Sequence, residues 1–512
     1  MGEIISGNRR LSTADLNLRS AKAATGLDSI GIKPGDIIAL YLRNDFPFFE
    51  ASTAAGLLGV YPTPVNWHAT PAEAKYIFEN SGAKAIVIHS DLYESVRSVI
   101  PDGVQVLTVQ TPPEIAAAYG VSNQTVQMPE GAMDWSAWLE GFEPWTGPPR
   151  QSPGTIIYTS GTTGHPKGVR RASPTPEQFD ASMRSLLTIF GLTTRPPDQI
   201  VSVMVGPMYH SAPNAYGSVC ARIGANLHLE ARFEPEDLLR MIQDYKVTHL
   251  HMVPIMFNRL LKLPEDVRKK YDVSSLEFVV HAAAPCSPPV KRAMIEWWGP
   301  VIMEYYGSTE TGGVVFCNSE QWLSHPGTVG KAMPSADVRV VDADGNSVPA
   351  GEVGEVVAMF TNIADFTYHK DHAKRVSSTK VGLVATGDIG YFDADGYLYL
   401  CDRSKDMIIS GGVNIYPAEI EASLHRMPGV ADCAVFGIPD DEYGEAIHAV
   451  VQPQPGVTLT HEQVRTYLRE HVSGFKVPKS VDFSNELPRE DSGKIFKRKL
   501  REPFWAGRSA RI

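Results

Sequence analysis

From residue 36 to about residue 110 the chain alternates short, unbroken apolar runs with segments of helical period. Asp36-Ile-Ile-Ala-Leu-Tyr-Leu42, Ala85-Ile-Val-Ile-His89 and Val104-Gln-Val-Leu-Thr-Val109 lack the strict in-out alternation of a half-exposed strand. They read as strands of a parallel sheet covered on both faces. Thr70-Pro-Ala-Glu73 combines a capping box with proline at the first helical position, and predicts a helix running to about Asn80. The texture returns between 200 and 306. There Val201-Ser-Val-Met-Val205, Thr248-His-Leu-His-Met-Val253 and Phe278-Val-Val-His-Ala282 alternate with helical stretches such as Glu236 to Tyr245 and Pro289 to Trp298. Two α/β lobes follow, with ligands expected at the carboxyl ends of the strands.

From about 327 to 400 the pattern shifts to short strands with turns at Asp344-Gly345 and Asp395-Gly396, predicting a small β subdomain. After Arg403 it mixes again. Pro417 to His425 is helical, Ala431-Asp-Cys-Ala-Val-Phe436 is a strand, and Thr460-His-Glu-Gln463 caps a further helix. The expected architecture is α/β, with a large N-terminal domain over 1–402 and a small, mobile α+β C-terminal domain over 403–512.

At 512 residues, 43% hydrophobic and 21% charged, the chain has material for a sizeable core divided among a few domains. No apolar run approaches the length of a membrane span and none resembles a signal-peptide core, so the expected location is the cytoplasm. Cys220, Cys286, Cys317, Cys401 and Cys433 are scattered and odd in number, which argues against a disulfide framework or a zinc site. Acids and bases balance at 15 each from Arg403 onward, so the net charge of −11 lies entirely before it. An acidic body argues against nucleic acid as a partner. The basic tail from Lys494 to Arg511 suits a polyphosphate ligand.

The richest chemistry lies in Tyr158-Thr-Ser-Gly-Thr-Thr-Gly-His-Pro-Lys-Gly168, where three glycines and four Ser/Thr hydroxyls precede and surround a lysine. Glycines allow backbone N–H groups to converge on an anion, and Thr159, Ser160, Thr162, Thr163 and Lys167 add donors and charge. A P-loop is excluded. Its second glycine would fall on Pro166, and the residue after Lys167 is glycine rather than Ser or Thr.

This stretch closely resembles the signature loop of the adenylate-forming superfamily, which includes acyl-CoA synthetases, luciferase-like enzymes and peptide-synthetase adenylation domains. Further motifs downstream arrive in that family's order. Tyr305-Tyr-Gly-Ser-Thr-Glu-Thr311 is one; the resemblance implies that Tyr306 stacks on adenine, Gly307 belongs to the nucleotide-binding set, Thr309 meets the α-phosphate, and Glu310 holds Mg²⁺ with Thr162. His281-Ala-Ala-Ala-Pro285 resembles the strip flanking adenine through Ala283, Ala284 and Pro285, with Ala282 where many members carry glycine. In Thr386-Gly-Asp-Ile-Gly-Tyr391 and Cys401-Asp-Arg-Ser-Lys-Asp406, Asp388 and Arg403 correspond to the ribose ligands and Lys405 to the hinge. Pro488-Arg-Glu-Asp-Ser-Gly-Lys494 supplies the lysine that bridges carboxylate and α-phosphate.

By the same resemblance the phosphate contacts fall to Thr159, Ser160, Gly161, Thr163, Gly164 and Lys167, and the chemistry to Lys494, Glu310 and Thr162. The implied function is ATP- and Mg²⁺-dependent activation of a carboxylic acid, followed by transfer to coenzyme A. His210 matches the aromatic gate of CoA ligases, Gly411-Gly412 would line the thiol channel, and Tyr216 and Phe257 are expected along the acid pocket. The pocket region Pro207-Met-Tyr-His-Ser-Ala-Pro-Asn214 has no acid to meet an ammonium group, which argues against an amino-acid substrate. Small residues at Ala212, Pro213, Ala215 and Gly217 favour a medium- or long-chain fatty acid, with aryl and steroid-derived acids as alternatives. A nucleotide-binding regulator without catalysis is the reading from another class, and a homodimer stays open.

Overall fold

The computed structural model describes residues 2–122, 126–148, 150–159, 166–403, 406–411, 413–489 and 495–506. Its first lobe is a five-stranded parallel sheet in the order Tyr61–Pro64, Ile37–Tyr41, Ala85–His89, Gln105–Val109, Met133–Asp134. Ile37–Tyr41 and Ala85–His89 are buried along their whole length, as their unbroken apolar runs require. The helix Pro71–Ser81 begins at the expected capping box. Thr70 accepts from the Glu73 amide, and the Glu73 carboxylate accepts from the Thr70 amide.

The second lobe is a nine-stranded sheet. Its order is Lys331–Ala332, Gly312–Cys317, Ile302–Ser308, Phe278–His281, His249–Met252, Val201–Met204, Asn226–Leu229, Glu3–Ser6, Arg9–Ser12. The last two strands come from the N-terminus, which the periodicity did not assign. Ile4 pairs in parallel with Leu227, and the following hairpin strand covers the sheet edge. The helix Thr13–Ser29 then packs on the helix Phe46–Leu58 of the first lobe, so the first thirty residues tie both lobes together.

A third sheet of five strands spans Ala336 to Arg403, built from Ala336–Val341, Gly354–Phe360, Thr379–Lys380, Leu383–Phe392 and Leu398–Arg403. The C-terminal sheet joins Ile408–Ser410, Val413–Ile415, Val430–Asp440, Gly444–Pro453 and Ser480–Phe483 around a separate apolar cluster. The molecule is therefore a large N-terminal domain followed by a small C-terminal one. A three-stranded sheet unites Ile157–Thr159, Lys167–Arg171 and Phe366–Tyr368, drawing a distant segment of the chain against the Gly-rich stretch. All five cysteines are free thiols. No described helix is long and apolar enough to cross a membrane.

Candidate active site

The strands Ile157–Thr159 and Lys167–Arg171 pair antiparallel with Thr159 opposite Lys167, so the residues on either side of the Gly-rich segment lie side by side. Ser160, Gly161, Thr162, Thr163 and Gly164 lie outside the described residues, as do Lys405, Gly412 and Lys494. Lys167 Nζ stands 5.8 Å from the centre of the Tyr368 ring. The Tyr368 hydroxyl in turn donates to Glu310 Oε1 at 3.0 Å. Partial burial, helped by Lys374, draws the Lys167 pKa down, against the pull of Asp371 and Glu310.

Glu310 and Thr309 occupy the turn between Ile302–Ser308 and Gly312–Cys317. Gly307 is obligatory there, because a Cβ at that position would lie 1.7 Å from the Gly312 carbonyl oxygen. The turn is closed by reciprocal hydrogen bonds: the Ser308 amide to Thr311 Oγ1 at 2.9 Å and the Thr311 amide to Ser308 Oγ at 3.1 Å. It is gripped from outside by Arg171, whose guanidinium donates to the carbonyls of Thr309 (3.1 Å), Glu310 (2.8 Å) and Ala364 (3.1 Å). Burial lowers the Arg171 pKa, with Glu310 and Asp365 opposing, and an arginine holds its charge through such a shift. Sequence reasoning missed Arg171 and Tyr368. The signal for Arg171 was its place four residues after Lys167; Tyr368 carried none, since its neighbours come together only through the three-stranded sheet.

Arg171→Met removes three charge-assisted hydrogen bonds to carbonyls that would otherwise be left without that donor. The expected cost to the turn is about 3 kcal/mol, or roughly a hundredfold in the rate of nucleotide-dependent chemistry. Steady-state kinetics with ATP varied, alongside a melting curve, checks this.

On the other side of the same turn, the Tyr306 hydroxyl donates to Asp388 Oδ2 at 2.6 Å, and Arg403 Nε lies 3.3 Å from Asp388 Oδ1. The pairing is built by register, since Asp388 and Arg403 sit opposite each other on adjacent antiparallel strands. Burial, reinforced by Asp388, raises the Tyr306 phenol well above its usual range, so it stays a donor. Beneath these groups, Lys291 donates to Glu304 at 2.6 Å in a fully buried ion pair that ties the helix Pro288–Trp298 to the strand carrying Tyr306. Burial raises the Glu304 carboxyl and Lys291 opposes that rise.

The strip Ala282–Pro285 leaves the strand Phe278–His281 at the same end of the sheet. Its left-handed residue is Ala283 (φ 72°), whereas Ala282 is buried with an ordinary backbone. The methyl group of Ala282 therefore brings no backbone strain in place of glycine. Ala283, by contrast, holds a conformation that L-residues adopt reluctantly. Ala284 and Pro285 follow it toward the surface.

Thr309 Oγ1 donates to Ser211 Oγ at 3.0 Å, which brings the turn against the first residue of the helix Ser211–Ile223. His210 is the N-cap of that helix. Tyr216, on the same helix, is fully buried, with its hydroxyl 2.8 Å from Ser202 Oγ. Phe257, expected beside it, lies elsewhere. Tyr216 shares a core with Met204 and Val280, while Phe257 shares one with Val203 and Val279. Successive strand residues point to opposite faces, so the two aromatic rings lie on opposite sides of the sheet, and Phe257 packs against His281 and Trp298 instead. In the C-terminal domain, Ser410 pairs with Val413 across the turn at Gly411, whose φ is 57°.

Tyrosine, carboxylate, arginine and lysine thus converge from three sheets on the carboxyl ends of the second lobe's strands, an arrangement suited to a nucleoside polyphosphate. The comparisons agree with it. The AMP-binding enzyme model matches residues 3–364, and the model of the AMP-binding enzyme C-terminal domain matches 419–494. A feruloyl-CoA synthase from an Amycolatopsis species is 30% identical, over 97% of this chain and 95% of its own. The long-chain-fatty-acid–CoA ligase FadD13 of Mycobacterium tuberculosis is 30% identical over 97% of this chain and 94% of its own. Among solved structures, ATP-bound MatB from Rhodopseudomonas palustris superposes with a TM-score of 0.85 at 26% identity, over 99% of this chain and 96% of that one. With both family models matched in order, and with the nucleotide-facing side chains assembled as such an enzyme requires, this chain belongs to the AMP-binding enzyme family and is an adenylate-forming acyl-CoA ligase.

Proposed function

We propose that this ligase activates a carboxylic acid with an apolar body in two half-reactions, using a nucleotide domain of residues 1–402 and a C-terminal lid of residues 403–512. In the first, a carboxylate oxygen attacks the α-phosphorus of ATP, giving acyl-AMP and releasing pyrophosphate. In the second, the sulfur of coenzyme A attacks the acyl carbonyl carbon, AMP leaves with the bonding pair, and the thiol proton passes to solvent.

The observation that carries this reading is the chain from Tyr306 through Asp388 to Arg403, an aromatic face continued by an acceptor and a planar donor fork. Adenine fits the first and the ribose hydroxyls fit the other two. Thr309 would meet the α-phosphate, and Thr159 and Lys167 the outer phosphates, joined by Ser160, Gly161, Thr163 and Gly164. The donor set also suits Mg²⁺, a hard cation that favours oxygen ligands. Tyr368 engages one oxygen of the Glu310 carboxylate, and Glu310 and Thr162 would hold the ion. When bound, Mg²⁺ neutralises phosphate charge. Lys494 would bridge the acid and the α-phosphate, while His210, Gly411 and Gly412 would border the thiol's path.

Two readings of the acid stand side by side. Small residues at Ala212, Ala215 and Gly217 favour a fatty chain, as in the fatty-acid ligase relative, whereas the buried Tyr216 ring favours an aryl acid, as in the feruloyl-CoA synthase relative. Acid-dependent exchange of labelled pyrophosphate into ATP tests the adenylation itself. Nucleotide binding without exchange for any acid would make the chain a regulator.

A further inference from the structure

The helix Pro417–Leu424 of the C-terminal domain opens without a cap of its own. Its N-cap residue is Tyr416, whose side chain makes no capping bond, and Pro417 has no amide to offer. The first available amide is that of Ala418, and it donates to Asp402 Oδ2 at 2.8 Å. Asp402 comes from the other side of the domain junction. It lies on the strand Leu398–Arg403, opposite Ile389 on the strand Leu383–Phe392, and the helix packs against that strand. The helix thus borrows its capping carboxylate from the large domain, where the negative charge also meets the positive end of the helix dipole.

The same carboxylate reaches the nucleotide side. Its Oδ1 accepts from the Arg403 amide at 2.7 Å, and the Arg403 side chain pairs with Asp388 in the arrangement assigned above to the ribose. One carboxylate therefore divides its two oxygens between the backbone of a proposed ribose ligand and the first turn of the lid helix. Lys497 stands behind it. This lysine pairs with Glu421 of the same helix at 2.8 Å and has Asp402 as a second acidic neighbour. Against burial, Glu421 and Asp402 hold the Lys497 pKa up at about 12, so its charge is permanent at neutral pH. Burial raises the Asp402 carboxyl, and Lys497 and the Ala418 amide oppose that rise.

We infer that Asp402 is a positioning residue for the lid: by capping the helix Pro417–Leu424 it favours the pose of this structure over the other pose of the catalytic cycle, and it ties that preference to the ribose-facing Arg403. The inference rests on the two half-reactions proposed above, between which the lid turns. A turn between Arg403 and Asp406 leaves the pairs Arg403–Asp388 and Asp406–Arg501 whole and gives up the bond from Ala418 to Asp402. The pose seen here has a support that the other lacks.

The test compares, in the full-length enzyme, pyrophosphate exchange with thioester formation from supplied acyl-adenylate. Palmitate, octanoate, ferulate and benzoate serve as probe acids, and the best of them provides the acyl-adenylate. Asp402→Ala should change the ratio of the two rates about tenfold, the scale expected for one charged capping acceptor, because the half-reaction made in the pose seen here slows and the other does not. Disturbed ribose binding or a loosened fold would slow both alike and leave the ratio in place. Asp402→Asn keeps an acceptor for the amide and should stay nearer the wild-type ratio. Ala418→Pro removes the donor and leaves Asp402 untouched. Proline is tolerated in a first helical turn, and this chain opens the helix Pro288–Trp298 on two of them. It should reproduce the Asp402→Ala ratio. If one of the two variants does not fold, the other decides. A ratio within about twofold of wild type in either folded variant overturns the inference while leaving adenylation intact. Wild-type exchange with none of the four acids overturns the adenylating reading beneath it.

Discussion

Lys494→Ala is expected to reduce acyl-adenylate formation by about 10²–10³, the cost of losing one fixed charge contact in a transition state, or about 3–4 kcal/mol. Both reacting partners are anions, so a single cation between them relieves their repulsion and meets the charge growing on phosphorus. Lys494 lies outside the described residues, but the chain on either side of it is held. Arg489 and Ile495 form an antiparallel bridge, the Phe496 amide donates to the Pro488 carbonyl at 2.7 Å, and Arg489 pairs with Asp432 on the strand Val430–Asp440. The described residues flanking Lys494 are thus tied to the C-terminal domain. Thioester formation from supplied acyl-adenylate should therefore survive the substitution. Equal loss in pyrophosphate exchange and in thioester formation would show that the lid keeps one pose through both steps.

Lys405→Pro should do the reverse, preserving pyrophosphate exchange and collapsing acyl-CoA formation. The ion pairs around it divide at this point of the chain. Arg403 belongs with Asp388 of the large domain. Asp406 is 3.5 Å from Arg501 on the C-terminal helix Lys497–Trp505, and the Asp402 carboxylate accepts from the Ala418 amide at 2.8 Å. A rotation of the lid about Lys405 would keep both ion pairs and break the Asp402–Ala418 bond, which spans that point. Proline fixes φ near −65° and restricts the residue before it, so it would block that rotation. Loss of the thioester step in a variant whose melting temperature is unchanged supports the pivot. An unchanged rate of acyl-CoA formation places the pivot elsewhere.

The strands and helices of both lobes were legible because each is short, apolar and bounded by a cap or turn that acts locally; the capping boxes at Thr70 and Thr460 start their helices as expected. What escaped depends on long-range assembly. Nothing local marks Glu3–Ser6 as a strand of the second lobe, because its partner Asn226–Leu229 is remote in the chain. Phe257 resembles a pocket residue by composition, and only the alternation of Val203 with Met204 and of Val279 with Val280 between two cores reveals that it faces away from Tyr216. Tyr306, Asp388 and Arg403 were named from motif order. Their joining into one hydrogen-bonded chain follows from strand register, which no single motif contains. Arg171 was passed over because a second basic residue after a glycine-rich loop looks like more phosphate chemistry, whereas it serves the backbone of the neighbouring turn.

The N-terminal hairpin bears on how the molecule comes together during synthesis. Ile4 finds its partner Leu227 only after that residue has emerged, and until then the strand Glu3–Ser6 has no sheet to join. Closing so large a loop is slow compared with local pairing. In the interval the edge at Asn226–Leu229 stays bare, with unpaired amides and carbonyls available to any other extended segment. Residues 3–12 thus act as a late fastener, and the second lobe is exposed to misassociation for as long as they remain unattached.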